Sequence, residues 1–467
     1  QMTGLGGDCF ALIKPAGTDQ ILGLNGSGRA PAALSAGRLR AKGLTQMPIH
    51  GIDTVTLPGA IDAFCTLHAA QGRLPLADLL APAIHYAEAG VPVAPRVAAD
   101  WAEDAAVLQG DARRFYLLEG AAPRIGQIFR APGQAEVLRR IAREGRAGFY
   151  EGEVAEDLIA SLRALGGPHD MADLAAVTSD WTQPISTSYQ NLTLSEHPPN
   201  GQGATALLML NILRHFDLAA LDPHGAPRAH LEAEATKLAY DARNRFIADP
   251  TARLDHLLSP ETASRLAALI DPRRALPNPA PLTEALHKDT VYITVVDRDR
   301  MAVSLIYSIF WGFGAGLASQ KFGIIFQNRG AGFSLMPDHP NEAAGGKRPM
   351  HTIIPGMLSE QGRVSLPFGV MGGAYQPCGH ARFVTNLADY GMDLQSAIDA
   401  PRAFCSPEGF KVERGYPPEI LGELVALGHS ARLSDEPLGG AQAIRIRPDG
   451  VLEGASDPRK DGCALGY

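Results

Sequence analysis

The sequence predicts an α+β protein in which helices and strands from both halves of the chain share one core. Apolar residues at helical spacing dominate residues 54–170, whereas β-branched or alternating runs dominate after residue 290. Neither half contains a regular pattern that would close a core by itself. We therefore expect helices packed on sheets that contain strands from both halves.

The clearest helix of the first half is predicted directly after Pro75, because proline is favoured in the first turn of a helix. Gly90 is typical of the position at which a helix ends. One apolar face is formed by residues three or four positions apart: Leu76, Leu79, Leu80, Ala83 and Ile84.

A second amphipathic helix is predicted to end near Asp249–Pro250. Its apolar residues are Leu231, Ala235, Leu238, Ala242 and Phe246. Residues 271–289 form the clearest linker, since four prolines fall between positions 272 and 281 and proline interrupts helices and central strands. The sequence thus predicts an exposed, strained or mobile approach to Thr290.

Runs with high β propensity lie before and after this linker. The apolar segment Cys9–Ile13 predicts a strand near the start of the sequence. Helices are predicted near 380–390 and 394–400, and Asp449–Gly450 supplies a hairpin turn. The strands predicted after the linker are 291–297, 302–309, 323–327 and 442–447.

The composition is that of an ordinary soluble globular protein, with 467 residues, 45% hydrophobic and 20% charged. A net charge of −8 argues against nucleic-acid and anionic-membrane partners, because both need a basic surface. No apolar run approaches the ~18–20 residues of a membrane-spanning helix. The five cysteines form no CxxC pair, which favours free thiols over a disulfide framework or a zinc site.

The first residues resemble the interior of a domain. Gln1–Asp8 leads at once into the strand Cys9–Ile13, so these residues do not show whether a signal peptide belongs to the protein. The sequence therefore leaves the compartment open, with the cytoplasm favoured over the periplasm.

A hydroxyl able to act as a nucleophile stands at the first position of a strongly β-prone run, Thr290–Val296. Gly4-Leu5-Gly6-Gly7 and Pro198-Pro199-Asn200-Gly201-Gln202-Gly203 precede it. The motifs that follow it are Ser304-Leu305-Ile306-Tyr307-Ser308, Phe313-Gly314-Ala315-Gly316, Asn328-Arg329-Gly330, Lys347-Arg348-Pro349, Gly372-Gly373 and Asp457-Pro458-Arg459-Lys460-Asp461-Gly462. In this order, and over essentially the whole chain, the series resembles the γ-glutamyltranspeptidase family.

The resemblance implies a four-layer αββα sandwich of the N-terminal-nucleophile hydrolase type. It also implies self-cleavage between Asp289 and Thr290. Residues 1–289 would form the large-subunit portion, incomplete at its N-terminus, and residues 290–467 the small subunit, both within one intertwined domain. Each subunit is then the partner of the other, and association of several such heterodimers stays open.

Cleavage would give Thr290 a free α-amine with an ordinary pKa of about 7.7–8.0, close to working pH. Such an amine can act as the general base for the hydroxyl of the same residue. We therefore expect no metal and no other cofactor. The histidines also show no HExxH or comparable ligand spacing.

The resemblance implies a second hydroxyl at Ser308, which assists self-cleavage, and an oxyanion hole at Gly372 and Gly373. Consecutive glycines suit this role because backbone N–H groups can approach a developing oxyanion unobstructed. The alternatives are that Ser308 packs along a strand and that the glycine pair is a simple turn. Cys378 has no visible base beside it, which favours a buried structural thiol.

Groups with which γ-glutamyl enzymes hold a substrate are largely missing. Ala36 stands where an arginine is expected, Gly332 replaces the acidic residue that binds the amine, and His351–Thr352 replaces a pair of serines. A buried ammonium without its counter-charge costs several kcal/mol. We therefore expect weak γ-glutamyl transfer.

Further changes surround the nucleophile, where Phe310 replaces an asparagine and Val291–Tyr292 replaces Thr-His. This variant resembles the branch of the family that contains oxamate amidohydrolase, and it predicts hydrolysis of a small amide. Tyr292 and Phe310 would crowd a long acyl chain. The other candidates for substrate binding, each of which could equally be structural, are Arg29, Arg329, His351 and Thr352.

Two other functions fit the same residues. A γ-glutamyltransferase or glutathione hydrolase could have rebuilt its amine site from residues that the motifs do not reveal. An uncleaved homologue could instead serve a binding role without catalysis.

Overall fold

The computed structural model describes residues 1–251, 253–277 and 290–467. The strands in these ranges are β1 (Asp8–Lys14), β2 (Leu22–Gly26), β3 (Val91–Pro92), β4 (Ile128–Phe129), β5 (Asp180–Thr182), β6 (Ile185–Tyr189), β7 (Leu192–Glu196), β8 (Val291–Val296), β9 (Ala302–Ser308), β10 (Gly356–Glu360), β11 (Arg363–Met371), β12 (Ala403–Ser406), β13 (Gly409–Val412), β14 (Ala431–Leu433), β15 (Gly440–Ile446) and β16 (Leu452–Ser456).

The α-helices in the same ranges are α1 (Ala36–Ala41), α2 (Ala60–Gln71), α3 (Leu76–Ala89), α4 (Pro95–Asp104), α5 (Gly110–Tyr116), α6 (Pro132–Glu144), α7 (Ala147–Tyr150), α8 (Gly152–Ala164), α9 (Met171–Ala175), α10 (Gly203–Leu213), α11 (Ala226–Phe246), α12 (Leu254–Leu258), α13 (Pro260–Ala267), α14 (Gln376–Ala388), α15 (Leu394–Asp399) and α16 (Ile420–Ala426).

Two antiparallel sheets face each other at the centre of the fold. The first has the strand order β5-β2-β1-β9-β8, and the second has the order β16-β15-β11-β10-β7-β6. Between them lies an apolar layer in which Leu12 and Ala302 of the first sheet meet Met357 and Val364 of the second. Side-chain alternation along each strand supplies this inner face.

Helices cover the outer faces of both sheets. On the first sheet, Ala60 and Ala63 of α2 pack against Ala11 of β1. On the second, residues of α10, α11 and α14 join one large cluster with Leu358 and Phe368 of the sheet. The predicted four-layer αββα sandwich and α+β class are therefore confirmed.

Each central sheet contains strands from both sides of Thr290. In the first, β1 pairs with β9 from Asp8↔Ser308 to Lys14↔Ala302. In the second, β10 pairs with β7, with Gly356 opposite Glu196. Segments before and after Thr290 thus complete the same hydrogen-bond ladders.

Residues 323–327 do not form the predicted strand. Gly323 has φ 67°, and the segment folds back on the preceding loop through bonds from Ala315 N–H to Phe326 O (2.8 Å) and from Phe326 N–H to Leu317 O (2.9 Å). The apolar side chains are buried as expected, but their partners are helices and loops rather than a neighbouring strand.

Two helices bury different faces from those predicted. In α3 no residue is fully buried, and Leu79 is 47% exposed. By contrast, α11 is buried on almost every side, including its charged residues Arg228, Glu234 and Lys237. Those charges are compatible with burial because each is paired.

In the described ranges, we find no helix that combines the length and the hydropathy needed to span a bilayer. All five cysteines are free thiols, and Cys463 is the exposed one. Cys378 is buried in α14, where its Sγ lies 3.2 Å from Thr236 Oγ1. Burial raises the pKa of Cys378 to about 12, which is unfavourable for a thiolate nucleophile.

Candidate active site

Thr290 directly precedes β8 and is 3% exposed. Side chains alternate along a strand, so Thr290 shares a face with Tyr292 and Thr294. Val291 and Ile293 lie on the opposite, exposed face. The strand geometry therefore directs Thr290 toward the interior between the sheets.

The inner face of β8 crosses β11 of the opposite sheet. Thr294 Oγ1 donates to Pro367 O at 3.4 Å. The Tyr292 ring lies against Gly369, where a Cβ would overlap the ring. A step of two residues toward the start of β8, from Thr294 to Tyr292, therefore matches a step of two residues toward the end of β11, from Pro367 to Gly369.

The same step, continued by two more residues, predicts that Thr290 lies level with Met371, where β11 ends. Gly372 and Gly373 follow at once, with φ angles of 131° and 56° that glycine adopts readily. We call these two residues the glycine turn. It continues through the 3-10 helix Gly373–Tyr375 into α14, so backbone N–H groups gather at a helix N-terminus, as an oxyanion requires.

Three buried side chains hold the glycine turn from the helical layer. Gln202 Nε2 donates to Gly373 O at 2.9 Å and to Thr352 O at 2.6 Å. Arg243 Nη1 donates to Gln202 Oε1 at 2.8 Å, and the Tyr240 hydroxyl donates to Ala374 O, directly after the glycine turn. These bonds fix the two peptides that follow Gly373. The Gly372 carbonyl accepts the Tyr375 N–H at 3.0 Å, which fixes the peptide that carries the Gly373 N–H.

Ser308 ends β9 beside the start of β8. The register pairs Val291 with Tyr307, so the next position on β9, Ser308, lies beside Thr290. Ser308 is fully buried, and its Oγ accepts the Phe310 N–H at 2.9 Å. A second hydroxyl therefore adjoins the predicted nucleophile.

A buried guanidinium belongs to the same region. Arg329 Nη1 donates to Thr352 Oγ1 at 2.8 Å, and Arg329 Cζ lies 4.0 Å from the centre of the Phe310 ring. Phe310 has φ 83°, which is uncommon outside glycine. The structure thus brings Arg329, Thr352 and Phe310 into one group, and a guanidinium is well suited to a planar carboxylate.

His351 forms a buried pair with Asp8 of β1. Its Nδ1 accepts the Ile353 N–H at 3.3 Å, so Nε2 carries the proton and donates to Asp8 Oδ2 at 3.0 Å. Burial and the nearby Arg329 charge lower the pKa of His351 to about 3. Both ring nitrogens therefore bond to the protein, and the ring is neutral near pH 7.

Tyr292 and Arg29 also contact protein groups. The Tyr292 hydroxyl lies 2.7 Å from Ser304 Oγ, inside the layer between the sheets. Arg29 lies 3.2 Å from Asp249 and 3.5 Å from Asp180, and its side chain is 36% exposed. For both residues, contact with a substrate stays a prediction.

Asp289, on one side of the predicted cleavage bond, lies outside the described residues. Ala36 begins α1, and Gly332 ends a 3-10 helix that starts at Arg329. Asn341 Nδ2 donates to Gly332 O at 2.5 Å. This bond fixes the end of the 3-10 helix that begins at Arg329.

A cleft of about 170 Å³ opens beside the glycine turn. Its charged residues belong to the small sheet β12-β13-β14 and to the loop after it. The cleft is lined by Gly372, Tyr375, Phe404, Lys411, Arg432 and Gly439, together with residues 434–438. None of these charged residues falls within a sequence motif, so sequence reasoning missed the cleft.

Among the described residues, His230, Glu234 and His429 are close enough to hold a metal ion. Their atoms already have protein partners: His230 Nδ1 lies 2.7 Å from His429 Nε2, and Lys237 Nζ donates to Glu234 Oε1 at 2.7 Å. His230 Nε2 also lies 2.8 Å from Asp271 O. The cluster thus fits a polar network that anchors the start of the linker better than a metal site.

The family is decided by comparison with known proteins. The family model described as gamma-glutamyltranspeptidase matches residues 1–467. The chain belongs to the γ-glutamyltranspeptidase family. It is accordingly an amide-bond hydrolase or acyltransferase of the N-terminal-nucleophile type.

Relatives in this family carry different activities in their names. The oxamate amidohydrolase proenzyme of Klebsiella pneumoniae is 38% identical over 488 residues, covering 100% of this chain and 90% of that protein. The glutathione hydrolase-like YwrD proenzyme of Bacillus subtilis is 34% identical over 480 residues, with the same coverage of 100% and 90%. The crystal structure of cephalosporin acylase from Bacillus halodurans has a TM-score of 0.92 and 38% identity, covering 100% and 88%.

Several residues of the site had a sequence signal that was not used. Gln202 stands between Gly201 and Gly203, and Asp8 follows a glycine run. Glycines in such a setting allow close backbone approach, which could have pointed to the polar residues beside them. Tyr240 and Arg243 gave no comparable signal within α11.

Proposed function

We propose that this protein is an N-terminal-Thr amidohydrolase, matured by cleavage between Asp289 and Thr290, that hydrolyses a small amide. The strand register carries the proposal, because it supports a position for Thr290 beside Ser308 and level with the glycine turn. The word proenzyme in the names of two relatives agrees with maturation by cleavage.

Thr290 Oγ attacks the carbonyl carbon while the Thr290 α-amine takes the hydroxyl proton. The N–H groups of Gly372 and Gly373 stabilise the negative charge on the carbonyl oxygen. The C–N bond then breaks, the amine leaves with the proton returned by the α-ammonium, and an ester remains on Thr290. Water, activated by the same amine, breaks this ester and restores the hydroxyl.

The acyl group is proposed to be small and to carry a carboxylate. Arg329, buried between Phe310 and Thr352, supports this choice because a guanidinium can bind a carboxylate through two hydrogen bonds. The 38% identity to a protein named oxamate amidohydrolase makes oxamate the first substrate to assay. A glutathione hydrolase-like relative makes γ-glutamyl amides the necessary comparator.

The test is steady-state kinetics on oxamate, other small amides and γ-glutamyl-p-nitroanilide. We expect turnover of at least one small carboxylate-bearing amide, loss of that turnover in Thr290→Ala, and partial retention in Thr290→Ser. A kcat/KM of ~10⁴ M⁻¹s⁻¹ or more on the γ-glutamyl anilide would favour the transferase instead. Full activity in Thr290→Ala would refute the proposed nucleophile.

A further inference from the structure

We infer that a small cavity between α14, α15 and the second central sheet binds one monatomic anion of the chloride type. The Tyr375 hydroxyl and the Arg382 guanidinium would donate hydrogen bonds to it. This inference goes beyond the proposed function and does not depend on it.

The cavity is bounded by α14, by α15 and the residues that follow it, and by the strands β11 and β15. Its volume is about 10 Å³, which is close to the space that a single water-sized species needs. Every lining residue is buried. The polar side chains of the lining are those of Tyr375, Arg382, Asn386 and Arg402.

Two of these side chains carry a buried donor that no residue of 1–251, 253–277 or 290–467 pairs. The donors are the Tyr375 hydroxyl and the Arg382 Nε–H. Burial raises the pKa of Tyr375, although the charges of Arg402 and Arg382 oppose the rise, so the hydroxyl keeps its proton near both guanidinium groups. Buried donors normally have an acceptor, because an unpaired donor is costly.

The other two polar side chains of the lining are engaged with protein groups. Asn386 Oδ1 accepts from Arg228 Nη2 at 2.7 Å, and Asn386 Nδ2 donates to Ala397 O at 3.0 Å. Arg402 Nη2 donates to Asp457 Oδ2 at 2.5 Å. The donors that remain for a ligand are therefore those of Tyr375 and Arg382.

The ion pairs around the cavity carry one surplus positive charge. Arg228 and Arg382 share the single carboxylate of Glu232, at 2.9 and 2.6 Å, and the three side chains are 0%, 5% and 12% exposed. Burial and the Arg382 charge lower the pKa of Arg228. The second group of ion pairs balances two guanidinium groups with two carboxylates: Arg402, Arg459, Asp457 and Glu413. One buried guanidinium is thus left without a counter-charge of its own.

An anion fits this setting better than a water molecule. A water molecule has two protons to donate, but the carbonyl oxygens of the lining residues Ala397 and Ala400 already accept from Asn386 and Arg459. A chloride ion only accepts, and its charge offsets the surplus guanidinium in a buried setting where an unpaired charge is costly. The volume of the cavity excludes carboxylates, phosphate and sulfate.

The proposed site adjoins the glycine turn through Tyr375. The Tyr375 N–H donates to Gly372 O at 3.0 Å, and a Cβ at Gly379 would lie 2.9 Å from Tyr375 Cε1. An anion on the Tyr375 hydroxyl therefore holds the far end of a ring whose backbone closes the turn. Occupancy of the site stabilises the folded protein at this place.

The first experiment locates the anion with bromide. Crystals of the full chain, grown in sodium bromide, are measured at the bromine absorption edge. We expect an anomalous peak in the cavity, within hydrogen-bond distance of Tyr375 Oη and Arg382 Nε. Bromide at surface cations only, or density in the cavity without an anomalous signal, would overturn the inference.

The second experiment measures the linkage of chloride to stability by urea denaturation. Sodium chloride replaces sodium gluconate at constant ionic strength, since gluconate is too large for the cavity. We expect the equilibrium constant of unfolding to fall about tenfold for each tenfold rise in chloride above its dissociation constant, as for one site present only in the folded state.

Tyr375→Phe is the test variant, because it removes one donor and keeps the ring. It should lose most of the chloride dependence. Tyr86→Phe, at a tyrosine of α3 that is 56% exposed, is the matched control and should keep the wild-type response. Equal stability of the wild type in the two salts, or an equal chloride response in Tyr375→Phe, would overturn the inference. Neither experiment needs turnover, so a failure of the proposed function would leave this inference standing.

Discussion

Arg329 and Arg29 look alike in the sequence as candidates for a substrate carboxylate, but the structure gives them different surroundings. Arg329 is buried on Phe310 and donates to Thr352, whereas Arg29 is half-exposed among carboxylates. We predict that Arg329→Lys lowers kcat/KM for a carboxylate-bearing acyl group by about ten- to a hundredfold, because lysine cannot reproduce the fork.

Arg29→Lys is the control for that measurement. A lysine there keeps a positive charge near Asp180 and Asp249, so we expect kcat/KM to stay within about twofold, as for an exposed ion pair. Equal effects of the two substitutions, or equal hydrolysis of neutral and carboxylate-bearing acyl groups by the wild type, would contradict the role given to Arg329.

The glycine turn offers a second test at single residues. Gly372→Ala introduces a Cβ at φ 131° that would lie 2.9 Å from Gly439 Cα, so the turn must shift. Displacing an oxyanion donor costs about 10²–10³ in kcat, and we predict a loss of at least tenfold. Gly391→Ala has φ 58° with nothing within 4 Å of the added Cβ, and it should leave kcat unchanged.

Sequence reasoning at this scale can locate a candidate residue that lies inside a short motif. Thr290, Ser308 and the glycine turn were located in this way, although their catalytic roles stay predictions. It could not find pairs that form only in three dimensions. Asp8 and His351 are 343 residues apart, and Gln202 and Gly373 are 171 apart.

At the scale of elements, α11 anchors the start of the linker toward Thr290. Lys237 Nζ donates to Glu234 Oε1 and to Leu276 O, both at 2.7 Å, and Leu276 N–H donates to Glu234 Oε2 at 2.8 Å. The Glu234 and Lys237 side chains are 0% and 6% exposed. This buried pair explains how a helix rich in charges packs within the core.

We predict that Glu234→Gln lowers the free energy of unfolding by about 3–5 kcal/mol, because it leaves the Lys237 ammonium buried without a counter-charge. The double variant Glu234→Gln/Lys237→Met should lose less than the single variant. Urea denaturation measures both. Glu261→Gln breaks an exposed pair with Arg265 and should cost under about 1 kcal/mol. A double variant less stable than Glu234→Gln would count against the pair.

Element positions were predicted best where periodicity and end signals coincide. The bounds of α3 agree with the end signals Pro75 and Gly90. The prediction of its buried face was wrong in part, because apolar spacing does not show whether other elements cover that face. Residues 323–327 have a strand-like composition, yet Gly323 and the returning loop prevent a strand. Local patterns predict which residues are hydrophobic, but they do not predict which elements those residues pack against.

At the scale of the whole molecule, stability should fall with acidification. Burial is the main cause that lowers the pKa of His351 to about 3 and of His197 to about 4, against about 6.5 in an unfolded chain. The unfolded state therefore binds more protons below about pH 6.5. The contribution is complete above that pH and is lost as the pH falls toward about 4 for His197 and about 3 for His351.

We predict that the free energy of unfolding decreases by up to about 1.4 kcal/mol per pH unit for each of the two histidines between about pH 6.5 and pH 4. Urea denaturation across that range measures the slope. His351→Gln removes one titrating group, so its slope should be shallower than that of the wild type. A wild-type slope that is flat in this range would contradict the prediction.

The sandwich could be expected from the resemblance, whereas residue patterns alone gave only the α+β class. Each central sheet contains strands from both sides of Thr290. Neither half of the sequence therefore shows the pattern of a complete sheet. The small sheet β12-β13-β14, and with it the cleft, was not predicted because its strands are short and Lys411 and Arg432 resemble ordinary surface residues.

The central claim is that Thr290 becomes an N-terminal nucleophile by a reaction of its own hydroxyl. Intact-mass analysis of the purified protein tests it most directly. We predict two fragments that separate at the Asp289–Thr290 bond in the wild type and in the control Thr294→Ala, which alters the same face of β8. Thr290→Ala should remain one chain, and Ser308→Ala should mature slowly. A wild type that stays one chain, or a Thr290→Ala variant cut at the same bond, would contradict the claim.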